Sequence, residues 1–295
     1  MSPPACVKPD FPLARLTTIG TGGHARYLGR PRTVPELREL LGWAAEQGVE
    51  TVIVGLGSNL LVADQGFDGL AVRLAGELSA VRAEGRLLRC GGGASLAVVV
   101  KRSQQLALAG VEFCCAIPGT VGGAVRMNAG AYGSELKDVL AEAVVVSADG
   151  ERRGGAVELG MRYRHSNVAA GEVVAEARLA LRAGDREQIR ELVRSMHDRR
   201  RASQPQKVRT FGSVWQNPTA VLTAGRVLEQ CELKGFAIGG ARISPVHANF
   251  IENAGDASSA DVLALMVEAR RRARERFGVE LQHEVQLVGP IALPD

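Results

Sequence analysis

Hydrophobic positions along the chain follow two different periods. From Thr33 to Gln47, the residues Val34, Leu37, Leu40, Leu41 and Ala44 recur at helical spacing, and Thr33 with Glu36 has the pattern of a capping box, so the stretch reads as an amphipathic helix. A short run, Thr51 to Val54, reads as a strand and opens directly into GLGSNLLVAD, Gly55 to Asp64. Helix, strand and glycine-rich turn in that order are the parts from which α/β ligand sites are built. Leu70 to Leu74 and Arg86 to Cys90 read as further strands, and Ser95 to Ala109 as a helix stopped by Gly110. Ala143 to Ala148 and Val173 to Leu181 are alternating or β-branched, with a turn signal at Asp149-Gly150. A basic helix, Asp185 to Arg201, leads into ASQPQKVRT, a connector to a second unit. That unit runs through FGSVWQNP, a helix, the loop ISPVHANFIENAG, a long helix from Asp261 to Phe277 and a closing strand, Val285 to Val288. No internal repeat interrupts this order.

Composition narrows the picture. The 295 residues with 46% hydrophobic content suffice for a large core, and the length suggests two domains. No apolar run approaches the ~20 residues of a membrane span, and MSPPACVKPDFPLARL lacks the apolar core of a secretory signal, so a cytoplasmic protein is expected. The cysteines Cys6, Cys90, Cys114, Cys115 and Cys231 include no C-x-x-C pair and read as reduced thiols. The net charge of +4 resides largely on the two arginine-rich helices; no aromatic residues interleave the basic ones, so solvated faces are expected rather than a nucleic-acid surface. A mild positive field of this kind favours an anionic substrate.

Glycine placement carries the strongest functional signal. In IPGTVGGAVRMNAGAYG, Ile117 to Gly133, the glycines Gly119, Gly122, Gly123, Gly130 and Gly133 are separated mostly by small or apolar residues. Glycine is entropically unfavourable to order, so such density points to positive φ angles or to close approach of backbone to a ligand. Bare N–H groups in a loop of this kind can form an anion nest, with Asn128 and Tyr132 adding side-chain contacts. TIGTGGHA, Thr18 to Ala25, contains G-x-G-x-x-A, but no strand precedes it, no helix opens from it, and Pro31 and Pro35 follow closely, so it is not a Rossmann fingerprint. GLGSN lacks the third glycine, and no P-loop motif is present. Several separate glycine loops suggest a large ligand held by backbone from several sides, as FAD would be. Ser58, Asn59, Asp64, Thr120 and Asn128 are polar candidates near those loops, each equally able to satisfy a turn.

Outside the loops, Arg164 in YRHS is a candidate carboxylate clamp. Ser213 follows a glycine, as an exposed hydroxyl would, without a triad partner identifiable by spacing. Glu284 precedes the closing apolar strand, where partial burial would raise its pKa. His247 and His283 have no metal-like spacing and read as structural or surface histidines; no metal is expected.

TIGTGGHA, GLGSNLLVADQGFDG, VEFCCAIPGTVGGAVRMNAGAYG, YRHS, FGSVWQNP, AGRVLEQCELKG, HANFIEN and ERFGVELQHEV, in this order, resemble the UDP-N-acetylenolpyruvoylglucosamine reductase family of flavoproteins in bacterial cell-wall synthesis, over nearly the full length. The short form of the family is the better match, because YRHS is followed quickly by the Val173 strand. The resemblance implies an α+β fold: a two-subdomain FAD-binding domain of the vanillyl-alcohol-oxidase (PCMH) type over residues 1–202, split near residue 76, and a C-terminal α+β substrate-binding domain over residues 203–295. It implies FAD bound at Gly55, Gly57, Ser58, Asn59, Leu60, Pro118, Gly119, Thr120, Gly122, Gly123, Asn128, Ala129 and Gly130. Substrate contacts are implied at Tyr132, Arg164, Gln216, Asn217, His247 and Asn249.

The implied reaction is NADPH-dependent, FAD-mediated reduction of UDP-N-acetylglucosamine enolpyruvate to UDP-N-acetylmuramate, with Arg164, Ser213 and Glu284 as catalytic residues. Reduction of the vinyl carbon leaves an enolate-like charge, which Arg164 and Glu284 would stabilise and which Ser213 would quench with a proton. Gln216 and Pro245 stand where family members usually carry lysine, so weaker binding of the sugar nucleotide is expected. The partners implied are small molecules, with neither nucleic acid nor membrane, and a monomer is favoured. An FAD oxidase or dehydrogenase of small alcohols on the same cofactor fold is the alternative; a non-catalytic nucleotide-binding protein would leave the glycine loops unexplained.

Overall fold

A computed structural model describes residues 2–219 and 221–294. The chain forms two compact units, one comprising Met1–Pro9, Tyr27–Leu56 and Gly69–Arg200, the other Asp10–Arg26, Gly57–Asp68 and Arg201–Asp295. The sequence divides the chain at 202/203, close to the last of these boundaries. Residues 10–26 and 57–68 cluster with the C-terminal residues.

The first unit centres on a five-stranded antiparallel sheet, ordered Glu151–Gly154, Leu140–Val146, Val173–Ala180, Leu87–Gly91, Val81–Glu84. Both of its faces are covered. Ala143, Val145, Ala177, Leu179, Leu88 and Cys90 pack in one core, while Val144, Val146, Val173 and Ala175 pack in another. A strand buried on both sides has no polar face, which is why its sequence runs AVVV rather than alternating. The second of these cores is closed by helix α1 (Val34–Glu46), which buries Leu37, Leu40, Leu41, Trp43 and Ala44. Thr33 Oγ1 accepts from the Glu36 N–H at 3.2 Å, as expected; the Glu36 carboxylate, however, reaches past the cap and accepts from the Arg32 N–H at 2.8 Å. The expected strand at Thr51 is Thr51–Ile53, paired in parallel with Leu70 to Val72.

Helix α2 (Leu96–Gln105) is shorter than its apolar pattern suggests, because Ala107 adopts φ 52° and Leu108–Ala109 then pairs with Arg182–Ala183. Helix α3 (Val121–Arg126) lies inside the glycine-rich stretch. Helix α4 (Arg186–Ser203) buries only Ile189 and Val193, so most of its arginines face solvent.

The second unit is a four-stranded antiparallel sheet, ordered Arg209–Ser213, Phe250–Asn253, Ala241–Ile243, Ala237–Ile238, with helices α5 (Ala224–Gln230) and α6 (Ser259–Phe277). Val262, Leu265, Met266, Ala269 and Ala273 of α6 pack with Phe211, Trp215 and Ile251. The closing strand, Gln286–Val288, pairs in parallel with Leu60–Val62, and this pairing is what recruits the 57–68 segment into the unit. Helix α6 begins two residues before the expected Asp261, at a capping box of Ser258 and Asp261, and ends at Gly278 in the left-handed region (φ 63°). Asp64 reinforces its start, accepting from the Ser259 and Ala260 N–H groups at 2.8 and 2.9 Å. The carboxylate that the sequence offered as a ligand candidate is thus a helix cap.

Among the described residues no helix is long and apolar enough to cross a membrane. All five cysteines are free. Burial pushes the Cys90 thiol up to about 12 and raises that of Cys114 as well, so both behave as small apolar side chains.

Candidate active site

In the first unit, the stretch from Pro118 to Gly130 lies over a second glycine run that the sequence reading passed over. The Gly122 N–H donates to the Gly92 carbonyl at 2.7 Å, and Val121 N–H to Ala94 at 2.9 Å. A Cβ on Gly92 would sit 1.8 Å from the Val174 carbonyl oxygen, so GGG at residues 91–93 is there to let strand and loop touch. The triplet itself was the available signal.

The glycines of the loop divide by what surrounds them. A Cβ on Gly55 would meet Thr120 Oγ1 at 2.6 Å, and one on Gly122 would meet Gly92 O at 3.0 Å; these positions are filled by the protein. Gly119 and Gly123 differ, since a Cβ would find nothing closer than Leu96 at 3.8 Å and Thr120 at 3.6 Å, and neither has a positive φ. Nothing in the protein asks for glycine there, and glycine in the first turn of α3 is unfavourable by about 1 kcal/mol relative to alanine. The backbone beside Thr120, whose Oγ1 caps the Gly123 N–H at 3.4 Å, is left open to a ligand, as the FAD expected here requires.

Asn128 and Ala129 follow. Asn128 is fully buried with φ 40°; its Nδ2 donates to Glu135 Oε2 at 3.0 Å and to the Arg162 carbonyl at 3.1 Å, and its Oδ1 accepts from the Lys137 N–H at 3.0 Å. The Ala129 carbonyl accepts from Leu136 N–H at 2.9 Å. Gly130 pairs with Glu135 and Ala131 with Ser134, closing a hairpin over Tyr132 (φ 54°) and Gly133 (φ 83°), the type I′ arrangement. The Tyr132 hydroxyl donates to the Met196 carbonyl of α4 at 2.8 Å while the residue as a whole remains partly exposed. The half-buried Arg200 guanidinium donates to the Ala116 carbonyl, and desolvation lowers its pKa.

Arg164 sits at the tip of a second tight hairpin. Arg162 and His165 exchange both backbone hydrogen bonds at 3.0 Å, leaving Tyr163 and Arg164 as the loop, with Arg164 at φ 53°. Its guanidinium lies 4.9 Å from the Tyr163 ring centroid and donates to the Gly130 carbonyl at 3.3 Å.

In the second unit, Ser213 ends the edge strand at a bulge. Arg209 faces Asn253, Thr210 faces Glu252, and Ser213 faces Phe250, so the Ser213 strand carries one extra residue; Gly212 absorbs it at φ 83°. Bulges of this kind re-aim the following side chain. The chain then runs beside the 282–284 segment: Glu284 N–H donates to Val214 O, and Gln216 N–H to Gln282 O, both at 2.9 Å. The backbone thereby sets Glu284 next to the serine segment. Asn59 holds the opposite side, with Nδ2 donating to the Glu284 carbonyl at 2.9 Å and its own carbonyl accepting from Gln286 N–H at 3.0 Å. Leu60 is buried on the adjoining strand, and a Cβ on Gly57 would lie 1.8 Å from the Leu16 carbonyl oxygen, so Gly57 serves chain packing. Ser58 lies between them, half-buried.

The polar side chains expected at substrate are engaged with backbone. Asn217 Oδ1 accepts from Ala224 N–H at 3.1 Å at the start of α5. His247 Nδ1 accepts from Asn249 N–H at 3.2 Å, its ring packs edge-on against Phe250, and burial lowers its pKa, favouring the neutral ring. Asn249 is buried and bonded on both amide atoms to Trp215. Gln216 is half-buried.

Residues 25–153 match the family model of the FAD binding domain, and residues 204–288 that of the UDP-N-acetylenolpyruvoylglucosamine reductase C-terminal domain. A glucose dehydrogenase, Phl p 4.0202, shares the fold at TM-score 0.50 and 16% identity over 63% of this chain and 43% of its own. The α+β, PCMH-type flavoprotein fold expected from the sequence is therefore present. UDP-N-acetylenolpyruvoylglucosamine reductase 2 of Symbiobacterium thermophilum is 42% identical over 97% of this chain and 93% of its own length, and the reductase of Sphingopyxis alaskensis is 43% identical over 95% and 94%. The crystal structure of the Thermus caldophilus reductase superposes at TM-score 0.84 with 34% identity, over 96% of this chain and 98% of that one. The chain belongs to the UDP-N-acetylenolpyruvoylglucosamine reductase family.

Proposed function

We propose that this chain catalyses NADPH-dependent reduction of UDP-N-acetylglucosamine enolpyruvate to UDP-N-acetylmuramate, the reaction of its family in peptidoglycan synthesis. The observation that carries the reading is the bulge at Gly212, which re-aims Ser213 on a segment backbone-paired to that of Glu284.

FAD, when bound, supplies the two-electron carrier between NADPH and the enolpyruvyl vinyl group. The residues that would hold it are Gly119, Thr120 and Gly123, with Pro118 and Gly122, and, as the family resemblance implies, Gly55, Gly57, Ser58, Asn59 and Leu60. Ala129 and Gly130 contribute through the shape of the loop, whereas the Asn128 amide hydrogens are already spent within the protein, which leaves Asn128 out of the cofactor contacts. Reduction of the vinyl carbon pushes charge toward the substrate carboxylate. Arg164 meets that charge as a planar double donor, and Glu284 stabilises the same developing anion, a role that requires its carboxyl to be protonated or to share a proton. Ser213 delivers the proton to the adjacent carbon; a serine hydroxyl is a weak acid and suffices only against so basic an intermediate. Tyr132, Gln216, Asn217, His247 and Asn249 complete the substrate side, the last three mainly by fixing backbone.

Residues 1–202 are read as the cofactor domain and 203–295 as the substrate domain, in a monomeric cytoplasmic enzyme. Gln216 and Pro245, in place of family lysines, remove positive charge and leave the sugar nucleotide more weakly bound. The test is steady-state turnover. NADPH oxidation should depend on the enolpyruvyl sugar nucleotide and yield UDP-N-acetylmuramate, identified by mass, in equal amount. NADPH oxidation that consumes oxygen instead, with no such product, would assign the chain to an oxidase of the same fold.

A further inference from the structure

We infer that Asn128 is a positioning residue for Arg164, acting through the hairpin base rather than on the cofactor. The Arg162 carbonyl takes the His165 N–H at 3.0 Å and Asn128 Nδ2 at 3.1 Å, so the asparagine grips the pair that closes the Tyr163-Arg164 turn. A primary amide has two hydrogens to give, and the second goes to Glu135 Oε2 at 3.0 Å. Oδ1 takes the Lys137 N–H at 3.0 Å. With the residue wholly buried, this amide has no hydrogen left for a ligand.

The hairpin needs such a grip. Arg164 holds φ 53°, an unfavourable region for a residue with a long side chain, and such conformations persist only where the surroundings over-determine them. Two further ties run from the same stretch of chain: Ser166 Oγ donates to the Arg126 carbonyl at 2.7 Å, and the Arg164 guanidinium to the Gly130 carbonyl at 3.3 Å. Asn128 is the central one of the three. Asparagine also suits the position because it tolerates its own φ of 40° better than most residues. Aspartate would not serve, since it would set a carboxylate against both the Glu135 carboxylate and the Arg162 carbonyl.

This inference rests on the role proposed for Arg164. It is tested with Asn128→Asp, which removes both donors at constant shape, and Asn128→Gly, which tolerates the backbone conformation. FAD affinity and anaerobic reduction of the flavin by NADPH should be unchanged. Reoxidation by UDP-N-acetylglucosamine enolpyruvate should slow by roughly ten- to a hundredfold, the scale of an ångström-sized misplacement. Combining either variant with Arg164→Lys should add no further loss, and hydrogen exchange should quicken in peptides covering residues 162–166. Weakened FAD binding with both half-reactions slowed equally would make Asn128 a cofactor residue and overturn the inference. Unchanged reoxidation with a lowered melting temperature would reduce it to a fold residue, which also overturns it. If the unaltered protein is not reoxidised by this substrate, the proposed reaction fails by itself, and the exchange comparison still decides whether Asn128 holds the hairpin.

Discussion

Asn249 pairs with the backbone of Trp215 as a neighbouring strand would: its Oδ1 accepts the Trp215 N–H at 2.9 Å and its Nδ2 donates to the Trp215 carbonyl at 2.9 Å. The Asn249 carbonyl accepts the Val214 N–H at 2.9 Å as well, so one residue fixes the segment that leaves Ser213. Trp215 is fully buried, and its backbone groups have no route to water once the amide is gone. Asn249→Ala should therefore cost about 2–4 kcal/mol, as expected for stranding a buried donor and acceptor. Denaturant unfolding followed by tryptophan fluorescence checks it, and an unchanged midpoint would count against the pairing.

Two glycines of the nominal cofactor loops should respond in opposite ways. Gly57→Ala places a methyl group 1.8 Å from the Leu16 carbonyl oxygen at φ 68°, and should lose about 3 kcal/mol or more of stability. Gly123→Ala meets no such obstacle within α3, and should stabilise the flavin-free protein by up to about 1 kcal/mol. The same alanine should weaken FAD binding by occupying the open cradle. Melting curves with and without added FAD separate the two effects.

Ser213→Ala should leave the melting temperature and NADPH-dependent flavin reduction intact, and slow reoxidation by substrate by ~10²–10⁴-fold, the usual range for a lost general acid. Anaerobic stopped-flow absorbance reads both half-reactions. Equal slowing of the two would remove Ser213 from the proton-donor role.

Glu268 on α6 accepts from Arg271 through two bonds at 2.8 Å and from Arg272 at 2.6 Å, and these bonds hold its carboxyl down at about 2, against 4.5 for an ordinary glutamate. The folded-state value is depressed, so the stabilisation is complete above the unfolded value and disappears as pH falls through the folded one. Arg271 is half-exposed, so solvent screening keeps the contribution small. Glu268→Gln should accordingly be less stable than the parent near neutral pH, with the gap narrowing below pH 4.5 and closing toward pH 2. A gap independent of pH would exclude the ion pairs as its cause.

Local pattern announced much of the fold. The leucines of α1 and the β-branched strand runs are visible because burial on a helix face or between two layers restricts composition directly. The assignment of Leu60–Val62 to the second unit was not visible, since only its long-range pairing with Gln286–Val288 decides it. Site residues were legible by type more than by role. Asn128 reads equally well as a ligand contact and as a turn residue, and Asn217 and Asn249 enter only as substrate contacts; a three-dimensional hydrogen-bond count is what shows all three holding backbone. Gly57 and Gly123 likewise look alike in sequence, although one makes room for Leu16 and the other faces open space. The motif order carried the family; no single motif carried the chemistry.

The measurement closest to the central claim is the visible spectrum of the purified protein under anaerobic conditions, recorded after addition of NADPH and then of UDP-N-acetylglucosamine enolpyruvate. A flavin band that bleaches with NADPH and returns with the sugar nucleotide is the expected result. A band that bleaches and stays bleached, or a protein that takes up no FAD, would contradict the account.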